Sequence, residues 1–143
     1  RAMAQIFSAV SPAMHEEFAL QYEMKYYERF GLLYYGCCEP LDKKLGILAK
    51  IPNLRTISMS PWVNAAEAAA AVGRRYVYSM KPSPALLAGD EWAPAAVRRD
   101  LAGLLAATRD CATEVILKDI STVRYQPSRL WEWAAIAAEL TCE

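Results

Sequence analysis

The spacing of apolar residues along the chain predicts helices and strands that alternate. A long amphipathic helix is predicted from Ser11, a candidate N-cap followed by Pro12, to Gly31. Apolar, aromatic or period-two runs of strand length predict four strands, at 32–36, 54–60, 76–80 and 113–119. Helical patterns follow them at 41–50, 65–72, 93–110 and 127–140. The predicted order is one helix and then four strand–helix units.

This alternation indicates an α/β chain with a parallel sheet, because each helical connection carries the chain back over one face of the sheet. The opening residues 4–10 predict a further short strand. A closed eight-stranded (β/α)8 barrel usually needs about 250 residues, and this chain has 143. We therefore expect residues 1–143 to form a single partial domain, about four βα units of a TIM barrel with parallel strands.

Polar residues follow every predicted strand, which favours a barrel over an open sheet. Barrels bind ligands along the whole carboxyl edge of the strands, whereas an open doubly wound sheet binds its ligand at one switch point. The sequence contains no glycine-rich phosphate loop. A substrate site at this edge is the prediction that follows.

Composition narrows the classes of partner. Hydrophobic residues make up 55% of the chain, and the formal net charge is zero with no block rich in lysine or arginine. We therefore expect no nucleic-acid partner. No stretch is apolar for the roughly 20 residues of a membrane span, and the start lacks the features of a signal peptide. These observations predict a cytoplasmic protein without a membrane partner, whose four cysteines are reduced thiols.

The stretch "YYGCCEP" is the most unusual candidate for chemistry, since it places adjacent thiols Cys37 and Cys38 before Glu39 and Pro40. There is no C-x-x-C pair, which argues against a zinc ribbon or a thioredoxin-type site. If the strand persists, at most one thiol faces the barrel interior, and the other packs as a small hydrophobic residue. The inward thiol is a candidate metal ligand or reactive thiol. Glu39 is a candidate second ligand, a general acid or base, or a cap of the next helix.

Three further side chains could complete this site. His15, with one thiolate and one carboxylate, would give zinc three ligands and an open position, although a surface histidine is the alternative. Lys81 and Asp119 end successive predicted strands and could form an ion pair that orients a polar substrate. The candidate catalytic residues are Glu39, Lys81 and Asp119, and hydrogen-bonding or aromatic side chains at the same edge are candidate substrate-binding residues, namely Ser58, Ser60, Trp62 and Thr122.

Four blocks, taken together, carry a resemblance to a known family. "YGCCEP", "IPNLRTISMSPW", "KPSPALLA" and "LKDISTV" followed by "PSRLWEWA" resemble the C-terminal half of the uroporphyrinogen decarboxylase superfamily, especially its decarboxylase-like, methyltransferase-related branch. The resemblance covers nearly the whole chain. It implies that the chain is the C-terminal half of a TIM barrel. Members include tetrapyrrole decarboxylases and zinc-dependent methyltransferases that work with corrinoid proteins or thiol acceptors.

The chain departs from this family at several functional positions. In the methyltransferases a His-x-Cys pair and a later cysteine hold the metal; Cys37 fits the first thiolate, Tyr35 lies where the histidine would be, and no cysteine lies near Asp119. The late histidine of the decarboxylases, which would fall in the same region, is absent, and His15 is the only histidine in the chain.

Three functions remain open on these grounds. In the first, zinc held by Cys37 or Cys38 with Glu39 and His15 lowers the pKa of a bound thiol, whose thiolate attacks a methyl group with a corrinoid protein as donor or acceptor. The second is metal-free decarboxylation of a tetrapyrrole or another carboxylated small-molecule substrate, with Lys81 and the serines as carboxylate anchors. The third is a structural half-barrel that forms a homo-oligomer, or pairs with its missing half, through exposed sheet edges.

Overall fold

The computed structural model describes residues 1–142 of the chain. The predicted first helix is present as one continuous helical stretch made of α1 (Pro12–His15), a π-helical segment (Glu16–Leu20) and α2 (Gln21–Tyr27), and it ends at Tyr27 instead of at the predicted Gly31. The Ser11 side chain accepts a hydrogen bond from the Met14 N–H at 3.2 Å, which confirms the predicted N-cap.

All four predicted strands are present and form one parallel sheet. They are β1 (Leu33–Tyr35), β2 (Leu54–Met59), β3 (Val77–Met80) and β4 (Ala112–Val115). They lie in the order β1-β2-β3-β4, so that each strand pairs with its neighbours in sequence. The α/β class and the parallel sheet are therefore confirmed.

The helices that connect and follow the strands match the predicted pattern, with one addition. They are α3 (Leu45–Leu48, after a 3-10 turn at Asp42–Lys44), α4 (Ala65–Val72), α5 (Ala85–Ala88), α6 (Pro94–Ala107) and α7 (Ser128–Thr141). Asn64 caps α4 by accepting from the Glu67 N–H, and Gly73 ends it with a φ of 50°. The short helix α5 was not predicted and lies in the proline-rich connection after β3.

The two faces of the sheet differ in polarity. On one face, buried side chains of the strands pack in a single core with helix residues such as Leu20, Leu48 and Val72; the strand residues are Leu33, Tyr35, Ile57, Met59, Tyr78 and Met80. Because side chains alternate along a strand, the opposite face carries the intervening residues. Tyr34, Ser58, Ser79 and Lys81 belong to this second face, which we call the polar face.

Two strand predictions need correction. Residues 4–10 do not form a strand, because Gln5–Phe7 is a 3-10 turn. Strand-like pairing occurs earlier, at Ala2, whose N–H donates to the Tyr34 carbonyl and whose carbonyl accepts from the Gly36 N–H, both at 2.8 Å. The chain must then turn to reach the helix that begins at Pro12. The strand predicted at 113–119 ends at Val115, and the residues after it follow an irregular path.

Within residues 1–142, no helix combines the length and the apolar character needed to cross a membrane.

Candidate functional site

Gly36 ends β1 and redirects both thiols. Its φ is +99°, and a side-chain Cβ built there would lie 2.6 Å from Leu41 Cδ1 and 3.0 Å from Ser58 Cβ. Glycine alone combines this backbone conformation with this close approach. The alternation of side chains therefore stops after Tyr35, and the premise that places the two thiols on opposite faces of a strand does not hold. The Ser58 hydroxyl donates to the Cys37 carbonyl at 2.7 Å and anchors the redirected loop.

The two thiols converge on Lys118, a residue that follows β4. Lys118 Nζ lies 3.2 Å from Cys37 Sγ and 2.9 Å from Cys38 Sγ, and the two sulfurs are 3.5 Å apart. The Cys38 thiol donates to Asp119 Oδ2 at 3.0 Å, and the same oxygen lies 3.1 Å from Lys118 Nζ. We call Cys37, Cys38, Lys118 and Asp119 the thiol cluster.

The thiol cluster joins the two outer strands of the sheet. In a flat sheet β1 and β4 would be about 14 Å apart, three strand spacings. The direct contacts between side chains 80 and 81 residues apart in sequence mean that the loops after β1 and β4 meet over the carboxyl edge of the sheet. The site is therefore created by the fold of the whole chain.

The charges and hydrogen bonds of the thiol cluster shift the pKa values of the two thiols in opposite directions. Burial raises the pKa of Cys37, but hydrogen bonds from Lys118 and Cys38 and the positive charge of Lys118 outweigh it, so that the pKa is lowered from its ordinary value. The hydrogen bond to Asp119 is the main cause that raises the pKa of Cys38. Cys37 is thus the thiol that ionises first, while Cys38 keeps its proton and donates it in the hydrogen bond to Asp119.

A second polar group lies on the polar face and was not predicted. The Tyr34 hydroxyl accepts a hydrogen bond from Lys81 Nζ at 2.8 Å and lies 3.0 Å from Ser79 Oγ. Lys81 also donates to the Ser79 carbonyl at 3.1 Å and to Ser79 Oγ. We call Tyr34, Ser79 and Lys81 the tyrosine cluster.

The ion pair expected between Lys81 and Asp119 is absent. The ammonium of Lys81 uses its three N–H groups on the tyrosine cluster, while Asp119 pairs with Lys118 in the thiol cluster. The physical reason is that β4 ends at Val115 and Asp119 has a φ of 58°, so that its side chain does not continue the alternation of the strand.

His15 and Glu39 are both buried, and neither side chain contacts a thiol sulfur through a hydrogen bond. His15 is fully buried, and its Nε2 is 2.8 Å from the Tyr35 hydroxyl, on the helix-covered face of the sheet. Burial, followed by the charge of Lys44, lowers the pKa of His15. Glu39 is also buried, and its Oε2 accepts from the Cys37 N–H at 2.9 Å.

The residues present do not fit a zinc ion in this arrangement. The predicted ligands divide between the core and the thiol cluster, where an ammonium already lies beside both sulfurs. Among the side chains of residues 1–142, no group of three or more His, Cys, Asp or Glu is placed to hold a metal. Zinc binding stays a prediction from the resemblance.

The candidate substrate-binding residues have separate surroundings. Ser58 alone contacts the thiol loop. Ser60 is buried and accepts a weak hydrogen bond from the Trp62 N–H at 3.4 Å, and the Trp62 side chain is 79% exposed beside a cavity of about 460 Å³. The exposed Thr122 accepts from the Arg124 N–H. Among the residues the structure describes, Ser60, Trp62 and Thr122 make no hydrogen bond to the thiol cluster.

Sequence reasoning missed Lys118 and Tyr34, the two residues that organise the clusters. Lys118 immediately precedes Asp119 at the end of a predicted strand, so its position at the carboxyl edge could be predicted from the sequence. Tyr34 precedes Tyr35 in a run interpreted as apolar, and the alternation of strand side chains was the available signal that these two hydroxyls point to different faces.

The chain matches no family model, no curated protein and no solved structure.

Proposed function

We propose that the chain is the C-terminal half of a (β/α)8 barrel in an enzyme similar to the uroporphyrinogen decarboxylase superfamily. Support comes from the sequential strand order and from a helix-covered face opposite a polar face. A doubly wound sheet reverses its strand order at a switch point and carries helices on both faces, whereas a barrel keeps its strands in order with the helices outside. In such a barrel β4 pairs on its second side with a further strand, supplied by the rest of the protein or by a second copy.

The reaction that this site supports best is methyl transfer to a thiolate, and the observation that carries it is the Lys118 ammonium 3.2 Å from Cys37 Sγ. A positive charge at this distance favours the thiolate, which is the nucleophilic form of cysteine. The sulfur of Cys37 attacks the methyl carbon of a methylated donor. The S–C bond forms while the bond between methyl and donor breaks, and its electron pair leaves with the donor. A corrinoid protein is the donor that the resemblance implies.

The other members of the thiol cluster position Cys37 and Lys118. Asp119 accepts a hydrogen bond from the Cys38 thiol and contacts the Lys118 ammonium, which keeps the negative charge of the thiol pair on Cys37. Ser58 holds the carbonyl of Cys37 and so fixes the direction of the loop. These residues act through Cys37, and the zinc ion implied by the resemblance enters no step of this reaction.

Decarboxylation with Lys81 as a carboxylate anchor has weaker support. All three N–H groups of Lys81 have acceptors within the tyrosine cluster, and the residue is only 3% exposed. A substrate carboxylate would have to displace these acceptors, which costs hydrogen bonds to a charged donor. The position of Lys81 favours a role in fixing Tyr34.

The proposed function is tested by incubating the full chain with methylcobalamin and locating methyl groups by peptide mass spectrometry. We expect one methyl group on Cys37, no transfer in Cys37→Ser and unchanged transfer in the matched control Cys142→Ser. Methyl groups spread equally over Cys37 and the exposed Cys142, or none on Cys37 while iodoacetamide still alkylates it, would contradict the proposal.

A further inference from the structure

Tyr34 and Tyr35 are neighbours in sequence with opposite environments. The Tyr35 hydroxyl is buried in the core beside His15, and burial raises its pKa strongly, followed by the negative charges of Glu23 and Glu39. Tyr34 is only half buried, and its hydroxyl lies on the polar face beside Lys81. One strand thus holds one inert phenol and one phenol next to a cation.

The hydrogen bonds of the tyrosine cluster suit a tyrosinate. The phenolic oxygen has two donors within reach, the Lys81 ammonium at 2.8 Å and the Ser79 hydroxyl at 3.0 Å. The remaining N–H groups of Lys81 are held by Ser79, so that the ammonium cannot rotate away without losing these bonds. Hydrogen bonds to an ionised acceptor are about twice as strong as neutral ones.

A second cation lies against the same ring. The Arg1 guanidinium is 5.0 Å from the ring centroid of Tyr34 and donates to the Gly36 carbonyl, while Lys81 Nζ is 5.4 Å from that centroid. No carboxylate is a hydrogen-bond partner of Tyr34 among the residues the structure describes. The electrostatic surroundings therefore favour negative charge on the phenolic oxygen.

The balance of forces on the phenol agrees with this geometry. Partial burial acts to raise the pKa of Tyr34, but the hydrogen bonds from Lys81 and Ser79 together with the charge of Lys81 outweigh it and lower the pKa from its ordinary value. Tyr34 therefore loses its proton more readily than an isolated phenol.

We propose that Tyr34 is a proton-transfer group for a small weak acid that lies against the polar face, with Lys81 and Ser79 as positioning residues. The tyrosinate takes the proton from the substrate, whose bonding electron pair stays on the substrate as its conjugate base, and the resulting phenol later returns the proton to water. Transfer is efficient when donor and acceptor have similar pKa values, so the substrate is a weak acid that ionises more readily than an ordinary phenol.

This inference goes beyond the proposed methyl transfer and does not depend on it. No member of the thiol cluster is a hydrogen-bond partner of the Tyr34 hydroxyl. Methyl transfer is tested by modification of the Cys37 sulfur, and proton transfer is tested by ionisation and acetylation of the Tyr34 oxygen. Either proposal can therefore be refuted without refuting the other.

The first test measures tyrosine ionisation by ultraviolet absorbance during a pH titration of the folded chain, which contains eight tyrosines. We expect the earliest ionisation step to disappear in Tyr34→Phe, to move to higher pH in Lys81→Met and in Ser79→Ala, and to remain in the control Tyr22→Phe. Circular dichroism confirms that each variant is folded. Survival of the earliest step in Tyr34→Phe would overturn the proposal.

The second test asks whether the oxygen of Tyr34 can reach a substrate. N-acetylimidazole acetylates accessible phenolic oxygens, and peptide mass spectrometry locates the product. We expect acetylation of Tyr34 and none of the buried Tyr35, with the Tyr34 reaction slower in Lys81→Met at neutral pH. Acetylation of the exposed Tyr22 without reaction at Tyr34 would show that no substrate reaches this oxygen, which would also overturn the proposal.

Discussion

Replacing Lys118 with methionine removes the cation of the thiol cluster while keeping most of the side-chain volume. A hydrogen bond to a charged group contributes about 1.5–3 kcal/mol, and one pKa unit corresponds to about 1.4 kcal/mol. The Lys118 side chain is 18% exposed and is shared by two sulfurs and Asp119, so we take the lower end of this range. Lys118→Met should raise the pKa of Cys37 by about one unit.

This shift has opposite effects on reactivity below and above the pKa values of the two proteins. At pH values below both pKa values the thiolate fraction of Cys37 falls about tenfold, but a thiolate of higher pKa is more nucleophilic, with a Brønsted coefficient of about 0.4–0.5. The net rate of alkylation should therefore fall about three- to fourfold. Well above both pKa values, where each protein is fully ionised, the variant should react about threefold faster. The two pH–rate curves are expected to cross.

The assay follows iodoacetamide alkylation of Cys37 by peptide mass spectrometry across pH, with Lys25→Met as the matched control for loss of one exposed positive charge. The control should follow the wild-type curve. Curves for Lys118→Met and wild type that coincide, or a uniform change at all pH values, would refute the assignment of Lys118 as the group that ionises Cys37.

Three further predictions concern stability. Because burial and Lys44 lower the pKa of His15 in the folded state, the stability that comes from its neutral form is present above about pH 6.5 and lost as pH falls; urea unfolding should show this loss in wild type and a weaker one in His15→Gln. Gly36→Ala places a methyl group at a positive φ and against Leu41, so urea unfolding should show a free energy of unfolding that is lower by about 1–3 kcal/mol. An unchanged free energy of unfolding would contradict this prediction. Arg129 is 1% exposed and donates to three backbone carbonyls, so Arg129→Met should cost about 3 kcal/mol in thermal unfolding, and an unchanged Tm would contradict this.

The fold was predictable where the sequence signals are local. The cap at Asn64 and the stop at Gly73 define α4, since both act within one helical turn of the residues that they limit. Period-two alternation of Thr56, Ser58 and Ser60 likewise identified β2. The pairing of Ala2 with β1 left no such trace, because a single bridge residue has no periodicity.

The candidate site was predictable only in part. Cys37, Cys38 and Asp119 were identified from their positions after strands, and the structure brings these three together. Their arrangement depends on the positive φ of Gly36 and on Lys118, 80 residues further along the chain than Cys38. A contact of that sequence separation is set by the packing of the whole sheet, which alternation within one strand does not encode.

The orientation of His15 could not be predicted from its position in the sequence. Its place at the start of a helix after the first residues suggested the carboxyl edge, but the helix turns this side chain inward against Phe7 and Tyr35. The orientation of a residue around a helix axis follows from which face the sheet buries. Lone polar residues within an amphipathic helix carry little information about that choice.

The most direct test of Cys37 as the nucleophile compares its alkylation with that of the other cysteines within one wild-type sample at neutral pH. Brief treatment with a limiting amount of iodoacetamide, followed by peptide mass spectrometry, gives the relative labelling of each thiol. We predict that Cys37 is labelled ahead of the more exposed Cys142, because Lys118 favours its thiolate. Labelling of Cys142 first, with Cys37 as slow as Cys111, whose pKa is raised by burial, would contradict the proposed site.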